Sequence, residues 1–248
     1  RNLAQRDIGK PVAATADPTC CSGSRATARN GTGGGRFPTS RRLAMIDPST
    51  TMKKLRLDAR KARQSMTVRE RAQASRQITD RFLNSRYFMG SDTIGCYVSM
   101  WDEVDTSAII ERAWRAKKRI FLPVTGASRN MHFRETLPQT ELAMNDFGLW
   151  EPVSGTSIEV RELDVVVTPL VAFDSRRNRI GMGGGYFDRT FAFLRDRQHW
   201  LRPKLIGVAF ECQRAPKIAR NPWDIPVFRI YTESGQAKPG PTSSSVVS

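Results

Sequence analysis

The sequence predicts an α/β domain built on a mostly parallel sheet, and two observations support that fold class. Strand-like and helical segments alternate through the middle of the 248-residue chain, which is the pattern of strands joined by crossover helices. The stretch DVVVTPLVAF, from Asp164 to Phe173, is a near-continuous apolar run, typical of a strand that is covered on both faces. A hydrophobic content of 39% is adequate for one substantial core.

The elements can be assigned in chain order from their periodicity. Basic and apolar residues alternate from Lys53 to Arg86, which predicts one or two amphipathic helices. The elements expected after them are a strand over 93–99, a helix over 107–115 capped by Thr106, strands over 119–124 and 131–134, a strand over 165–173, a helix over 187–195 and a strand over 204–210. Together they predict a single Rossmann-like domain of three layers, in which helices flank the mostly parallel sheet.

Composition sets the expected boundaries of this domain at residues 52–235. The first 51 residues contain a glycine run and no apolar periodicity, so we expect a disordered extension upstream of a true start at Met45 or Met52. Its three aspartates and the lack of an amphipathic stripe argue against a targeting peptide. Residues 236–248, which include prolines and a serine run, are expected to form a disordered tail.

Charge and cysteine usage limit the possible partners. A net charge of +16 is typical of nucleic-acid-binding proteins, but here the charge is spread along the chain, so a solvated basic surface explains it better. No stretch reaches the ~18 apolar residues that span a bilayer. The four cysteines form neither a disulfide framework nor a Cys-x-x-Cys metal site. We expect a cytoplasmic monomer without membrane or nucleic-acid partners.

A glycine-rich segment is the main candidate for chemistry. The polar turn from Asp174 to Asn178 is followed by four glycines between 181 and 185, whose backbone N–H groups can converge on an anion. Arg176, Arg177 and Arg179 before the glycines could neutralise phosphate, and Asp188 after them could hold a magnesium ion. The Walker A and dinucleotide-binding patterns are both absent. From these residues alone, a phosphate site and a plain glycine turn stay open as alternatives.

The segment from Asp164 to Asp188 resembles the signature of the 5-formyltetrahydrofolate cyclo-ligase family, also called methenyltetrahydrofolate synthetases. The resemblance covers roughly residues 52–235 and includes five further segments. These are Leu55-Arg56, Met100-Trp101-Asp102-Glu103-Val104-Asp105-Thr106, Phe147-Gly148-Leu149-Trp150-Glu151-Pro152, Gln213 and Asn221-Pro222-Trp223-Asp224-Ile225-Pro226.

The resemblance implies an ATP- and magnesium-dependent enzyme that converts 5-formyltetrahydrofolate, with or without a polyglutamate tail, to 5,10-methenyltetrahydrofolate. It assigns catalysis to Arg179 and Tyr186, the folate to Glu103 and the glycine loop from Met182 to Tyr186, and magnesium to Asp188 and Asp224. It assigns ATP to Lys53, Arg56, Arg179, Ile180, Gly181, Met182, Gly183, Gly184, Gly185, Tyr186 and Phe187.

One position departs from the family pattern. The family commonly places a lysine four residues before the equivalent of Arg56, where this chain has Met52. Lys53 is the candidate substitute, although one helical position corresponds to a rotation of about 100°.

Two rival functions are compatible with parts of the sequence. A basic nucleic-acid-binding protein predicts steeply salt-dependent binding to polynucleotides. A sugar-phosphate isomerase-like enzyme on a similar sheet predicts turnover without ATP, and it leaves Asp188 and Asp224 without a metal role. Neither explains the glycine segment together with Trp223 and Asp224.

Overall fold

The structure is a computed structural model that describes residues 48–126, 129–196 and 201–236. Its helices are α1 (Pro48–Ser65), α2 (Val68–Leu83), α3 (Arg86–Met89), α4 (Ser107–Arg115) and α5 (Tyr186–Thr190). Its strands are β1 (Thr93–Gly95), β2 (Arg119–Thr125), β3 (Met131–Glu135), β4 (Leu142–Met144), β5 (Trp150–Pro152), β6 (Ser157–Ile158), β7 (Val165–Thr168), β8 (Ala172–Phe173), β9 (Arg179–Ile180), β10 (Lys204–Val208), β11 (Arg229–Thr232) and β12 (Gly235–Gln236).

The predicted amino-terminal extension and carboxyl-terminal tail lie almost wholly outside the described residues. Residues 48–51, the last four of the predicted extension, form the first turn of α1. The described elements belong to one compact unit, Asp47–Ser248.

The main sheet has the strand order β12-β11-β10-β7-β1-β2-β3-β6. The five strands from β11 to β2 are mutually parallel, while β12, β3 and β6 pair antiparallel at the two sides. Numbered along the chain, the parallel strands lie in the order 2-1-3-4-5, so the order reverses between β1 and β7. In doubly wound sheets the loops after such strands diverge and leave a ligand crevice at the carboxyl edge.

Both faces of the sheet are covered, as the apolar run predicted. One face packs against α2, α3 and α4, through residues that include Phe82, Phe88 and Ile109. The other face packs against a shorter segment that follows α5, chiefly through Phe191 and Leu194. The α/β class and the mostly parallel sheet predicted from the sequence are therefore confirmed.

The predicted strand over 165–173 is divided into two. β7 ends at Thr168, and β8 pairs with β9 in a separate two-stranded sheet. Pro169 has no N–H to donate to a neighbouring strand. The carbonyl oxygens of Leu170 and Val171 accept hydrogen bonds from the buried side-chain amide of Gln213 instead (2.8 and 2.9 Å). The chain thus leaves the main sheet at the proline and continues beyond its carboxyl edge.

The predicted helix over 187–195 is also wrong in its length. α5 covers five residues, and a 3-10 helix, Ala192–Arg195, follows it. A 3-10 helix has about three residues per turn, so Phe191 and Leu194 point the same way, and both are buried against the sheet. The strand predicted over 93–99 similarly stops at Gly95.

The predicted helix over 107–115 is confirmed, but its predicted cap is wrong. The Thr106 hydroxyl does not cap α4; it donates to the carbonyl oxygen of Tyr97. The carboxylate of Asp105 accepts from the N–H of Ser107 instead (2.9 Å).

Candidate active site

Two loops flank the point where the strand order reverses. One joins β1 to α4 and carries Glu103. The other is the glycine loop, residues 181–185, which follows the β8–β9 hairpin beyond the end of β7. Because both follow neighbouring parallel strands, they lie at the same edge of the sheet.

One face of α1 connects the two loops. The Arg56 side chain donates from Nε to the carbonyl oxygen of Gly181 (3.0 Å), and Arg60 contacts the sulfur of Met182 (3.0 Å). Seven residues after Arg56, Arg63 forms an ion pair with Asp102 in the loop after β1 (2.8 Å). Residues spaced at i, i+4 and i+7 share one face of a helix. α1 therefore forms one wall of a site that has the glycine loop and the β1–α4 loop as its neighbours.

The glycine loop requires glycine at two positions. Gly183 has φ +106° and Gly185 has φ +69°, conformations that residues with a Cβ adopt only with strain. The side chain of Arg189 donates to the carbonyl oxygen of Gly184 and to that of Arg129. Since α5 has only five residues, the loop N–H groups and nearby arginines are better candidates for anion binding than a helix dipole.

A second hairpin reaches the glycine loop. The ring of Phe147, at the tip of the β4–β5 hairpin, lies edge-on to the ring of Tyr186, with centroids 6.1 Å apart. The side chain of Asn145 fixes that tip by accepting hydrogen bonds from the N–H groups of Phe147 and Leu149. The Phe147 ring is 64% exposed, which leaves an aromatic surface beside the loop.

Arg179 and Asp188 form an ion pair under the glycine loop. Nη2 of Arg179 lies 2.7 Å from Oδ1 of Asp188, and the arginine side chain is 4% exposed. Burial lowers the pKa of Arg179, while the nearby Asp188 and Asp224 act in the opposite direction. Its Nε has no hydrogen-bond partner although it is buried. A buried guanidinium with an unused donor is suited to an anionic ligand.

Asp188 and Asp224 lie close enough to Arg179 to interact with the same guanidinium. Oδ1 of Asp188 also accepts from the backbone N–H of Ile225 (3.1 Å), which ties it to the segment that carries Asp224. Oδ2 of Asp224 accepts from Asn221 (2.8 Å). Within the described residues, no group of three or more acidic, His or Cys side chains could hold a metal ion. Two carboxylates still suit magnesium, which completes its coordination with water and phosphate oxygens.

Glu103 is held almost out of solvent. Its Oε2 accepts from the N–H of Met100 (3.1 Å), and its Oε1 lies 3.8 Å from Nη1 of Arg63. Burial raises the pKa of the Glu103 carboxyl, while the Met100 N–H and Arg63 favour its charged form. Such a group can accept hydrogen bonds from a polar ligand in a site with little water.

Three basic residues named from the sequence lie elsewhere. Arg176 and Arg177 belong to the turn at the other end of the β8–β9 hairpin, where Arg177 donates to the carbonyl oxygen of Phe228 (3.0 Å). Lys53 is exposed on α1, and none of the described residues forms a recorded side-chain contact with it. Met52, which occupies the position of the family lysine, packs against a small apolar cluster. A role for Lys53 in ATP binding stays a prediction.

The sequence reasoning missed several residues that shape the site. Arg60 and Arg63 extend the wall formed by Arg56, and their helical spacing could have indicated this. Arg189 closes the glycine loop from a position one turn into α5, and its place directly after Asp188 in the glycine-rich signature could have indicated this.

The fold and the site together define an α/β enzyme in which two candidate ligand-binding loops lie at the carboxyl edge of a parallel sheet. Residues 48–233 match the model of the 5-formyltetrahydrofolate cyclo-ligase family. The chain belongs to this family.

Individual relatives agree with that assignment. The chain is 35% identical over 182 residues to the 5-formyltetrahydrofolate cyclo-ligase of Haemophilus influenzae, covering 71% of this chain and 94% of the relative. It is 36% identical over 183 residues to that of Escherichia coli K12, covering 71% and 96%. Among solved structures, 5,10-methenyltetrahydrofolate synthetase from Aquifex aeolicus superposes with a TM-score of 0.66 at 25% identity, over 78% of this chain and 95% of that one.

Proposed function

We propose that this chain catalyses the ATP-dependent conversion of 5-formyltetrahydrofolate to 5,10-methenyltetrahydrofolate, with release of ADP and phosphate. The observation that carries the proposal is the family match over residues 48–233, which includes both loops of the site. The identity of 35% and 36% to two cyclo-ligases, over 94% and 96% of their length, supports the same reaction.

The reaction needs activation because a formamide carbonyl is a poor electrophile. In the proposed sequence, the formyl oxygen attacks the γ-phosphorus of ATP, and the bond to ADP breaks. The resulting carbon, bonded to phosphorylated oxygen and to nitrogen, is attacked by the neighbouring folate nitrogen. That nitrogen loses its proton, the carbon–oxygen bond breaks, and phosphate leaves as the ring closes. Phosphoryl transfer of this kind depends mainly on positioning and charge stabilisation.

The residues under the glycine loop are suited to this task. Arg179 is buried and has an unused N–H, so we assign it to the transferring phosphoryl group. We assign Tyr186, the first residue of α5, as the second catalytic residue. We assign the phosphates of ATP to the loop N–H groups and to Arg56, which already contacts the carbonyl oxygen of Gly181. Lys53 is the further candidate on α1.

We assign magnesium to Asp188 and Asp224. Each of the two carboxylates has one oxygen for which no hydrogen bond is recorded among the described residues, so the pair fits a magnesium ion that also contacts phosphate. When bound, magnesium would neutralise negative charge on the phosphate oxygens. The ion pair between Arg179 and Asp188 would keep both side chains in position beneath the glycine loop.

We assign the folate to the space between Glu103 and the glycine loop. Glu103 is a buried acceptor fixed by Met100 and Arg63, and a pterin ring carries several N–H donors that an acceptor of this kind can recognise. The exposed Phe147 and the half-buried Tyr186 offer aromatic surface for a flat ring. Gly183 leaves open space in which the substrate can approach the backbone, since a Cβ there would have no neighbour within 4 Å.

An absorbance assay for methenyltetrahydrofolate tests the proposal. The wild type should form product from 5-formyltetrahydrofolate only with ATP and magnesium, and Asp188→Ala should lower the rate by about 100-fold. Asp80→Ala, an exposed aspartate on α2, serves as the control. Because Asp188 also anchors Arg179 and Ile225, Asp224→Asn should be measured beside it, with thermal unfolding as a check on folding. Folded wild-type protein that forms no product would contradict the proposed function, and equal product formation without ATP would contradict the proposed phosphorylation of the formyl oxygen.

The compartment and the oligomeric state stay predictions from the sequence. No helix in the described part of the chain is both long and apolar enough to cross a membrane. Cys96 and Cys212 are free thiols, which suits the predicted cytoplasmic location.

A further inference from the structure

A second concave surface borders the segment that carries Asp224. A cleft of about 710 Å³ is formed by the turn between β8 and β9, by the start of β10 with the residues before it, and by residues 217–220 and 226–228. The turn is at the end of the β8–β9 hairpin opposite to Gly181, so the cleft and the glycine loop are separated by the hairpin.

The lining of this cleft is basic and contains no acid. Five cationic residues line it: Arg176, Arg177, Lys204, Lys217 and Arg220. Among the described residues, none of these five takes part in a recorded ion pair, and no Asp or Glu belongs to the lining. One buried carboxylate lies beneath the lining, that of Asp174, which accepts from the N–H groups of Arg176, Asn178 and Ile218. The five cations outnumber it and repel one another. Several cations brought together from separate segments around one concavity are therefore suited to a ligand with several negative charges.

The remaining lining residues form an apolar floor. Ile218 and Val227 are buried at its base, and the ring of Phe228 lies 5.5 Å from the ammonium of Lys204. Arg177 is fixed above the floor because its guanidinium donates to the carbonyl oxygen of Phe228 (3.0 Å). An apolar floor removes water from one side of the cleft, which strengthens hydrogen bonds between the cations and a bound anion.

We propose that this cleft binds a small oligophosphate at a site separate from the active site. A ligand that meets several cations of one cleft carries several negative charges close together, which favours linked phosphates over single carboxylates. Three of the five cations are arginines, whose planar guanidinium groups match phosphate oxygens in pairs. None of the five cations is assigned to the reaction above, and only Arg220 contacts a residue of that site, through the carbonyl oxygen of Asp224.

The test uses charge reversal with a matched control. Arg176→Glu combined with Lys217→Glu changes two exposed cations of the cleft for which no side-chain contact is recorded. Arg69→Glu combined with Arg76→Glu reverses two exposed cations on α2 and changes the net charge equally. Binding of inorganic tripolyphosphate to each full-length protein is measured by calorimetry. The wild type should bind tripolyphosphate at two sites, because the glycine loop is assigned to the phosphates of ATP. The cleft pair should weaken one of the two sites by about tenfold or more, whereas the control pair should stay near the wild type.

Further variants and probes keep the proposal falsifiable. Tripolyphosphate binding that is lost in Arg56→Ala but retained in the cleft pair would assign the anion to the active site and overturn the proposal. Equal weakening of tripolyphosphate binding in the cleft and control pairs would overturn the proposal, because the net charge of the protein would then explain the binding. Citrate that binds the cleft as tightly as tripolyphosphate, or a single-stranded oligonucleotide that binds it more tightly, would overturn the oligophosphate assignment. Thermal unfolding of both double variants verifies that they fold.

Discussion

The buried guanidinium of Arg63 donates from both Nε and Nη2 to one carboxylate oxygen of Asp102, at 3.1 and 2.8 Å. Both side chains are 5% exposed. This ion pair fixes α1 to the loop after β1, and it positions Glu103, whose carboxylate lies 3.8 Å from the same guanidinium. The two walls of the candidate site are thus connected by one buried contact.

Breaking this pair should destabilise the protein. Asp102→Asn leaves the Arg63 charge buried without its main partner, so the free energy of unfolding should fall by about 3 kcal/mol. Glu111→Gln removes an exposed ion pair with Arg115 on α4 and should cost less than about 1 kcal/mol. Urea unfolding of both variants measures the difference. Similar losses in the two variants would mean that the Arg63–Asp102 pair has no special role.

Glu103 should make stability depend on pH in a defined direction. Burial raises its pKa above the ordinary value of 4.5, so folding favours the protonated carboxyl. The wild type is therefore penalised as the pH rises through the raised pKa, and the penalty is absent below the ordinary value.

Glu103→Gln removes that ionisation. The variant should melt about 2 °C or more above the wild type at neutral pH, and the difference should vanish near pH 4. Exposed Glu159→Gln is the control and should match the wild type at both pH values. A Glu103→Gln advantage that is constant with pH would disprove the linkage to this carboxyl. The same variant should raise the KM for the folate more than the KM for ATP, because it changes the proposed folate contact.

Alanine substitutions at two glycines should separate the effect of backbone strain on stability from the effect of the glycine loop on catalysis. Gly183→Ala and Gly235→Ala both place a Cβ at a positive φ, +106° and +129°, and neither Cβ would have a neighbour closer than 3.9 Å. Each should lower stability by about 1–2 kcal/mol. Only Gly183→Ala should also lower kcat/KM for ATP, by about tenfold, because only that residue lies in the proposed phosphate loop. Equal kinetic effects would argue against a phosphate-binding role for the loop.

Gln213 should be essential to the path of the chain after β7. Its amide donates to the carbonyl oxygens of Leu170 and Val171 and accepts from the N–H of Phe210 (2.8 Å). Gln213→Ala leaves buried backbone groups without partners and should cost about 2–3 kcal/mol. Exposed Gln77→Ala on α2 should change stability by less than about 0.5 kcal/mol. Chemical unfolding compares the two, and a Gln213 effect no larger than the control would contradict this account.

Sequence reasoning located the glycine loop because its information is local. Four glycines in five positions indicate a backbone conformation that other residues rarely adopt, and Gly183 and Gly185 have positive φ. The local sequence did not predict the length of the helix that follows the loop. Whether residues 191–195 continue as an α-helix depends on the sheet face against which Phe191 and Leu194 pack, so the prediction of a full helix was wrong.

By itself, the sequence determined the fold class, most strands of the parallel sheet, α4, and the family to which the chain belongs. These follow from periodicity and from short motifs, in which each residue is read with its near neighbours. Only the tertiary structure decided that β7 stops at Pro169, that Arg63 joins α1 to Asp102, and that Arg179 and Asp188 pair near Asp224. These contacts join residues far apart in the chain or depend on burial. Removing charges and backbone polar groups from water costs free energy, and only a correctly placed partner offsets that cost. A local sequence pattern does not specify that partner.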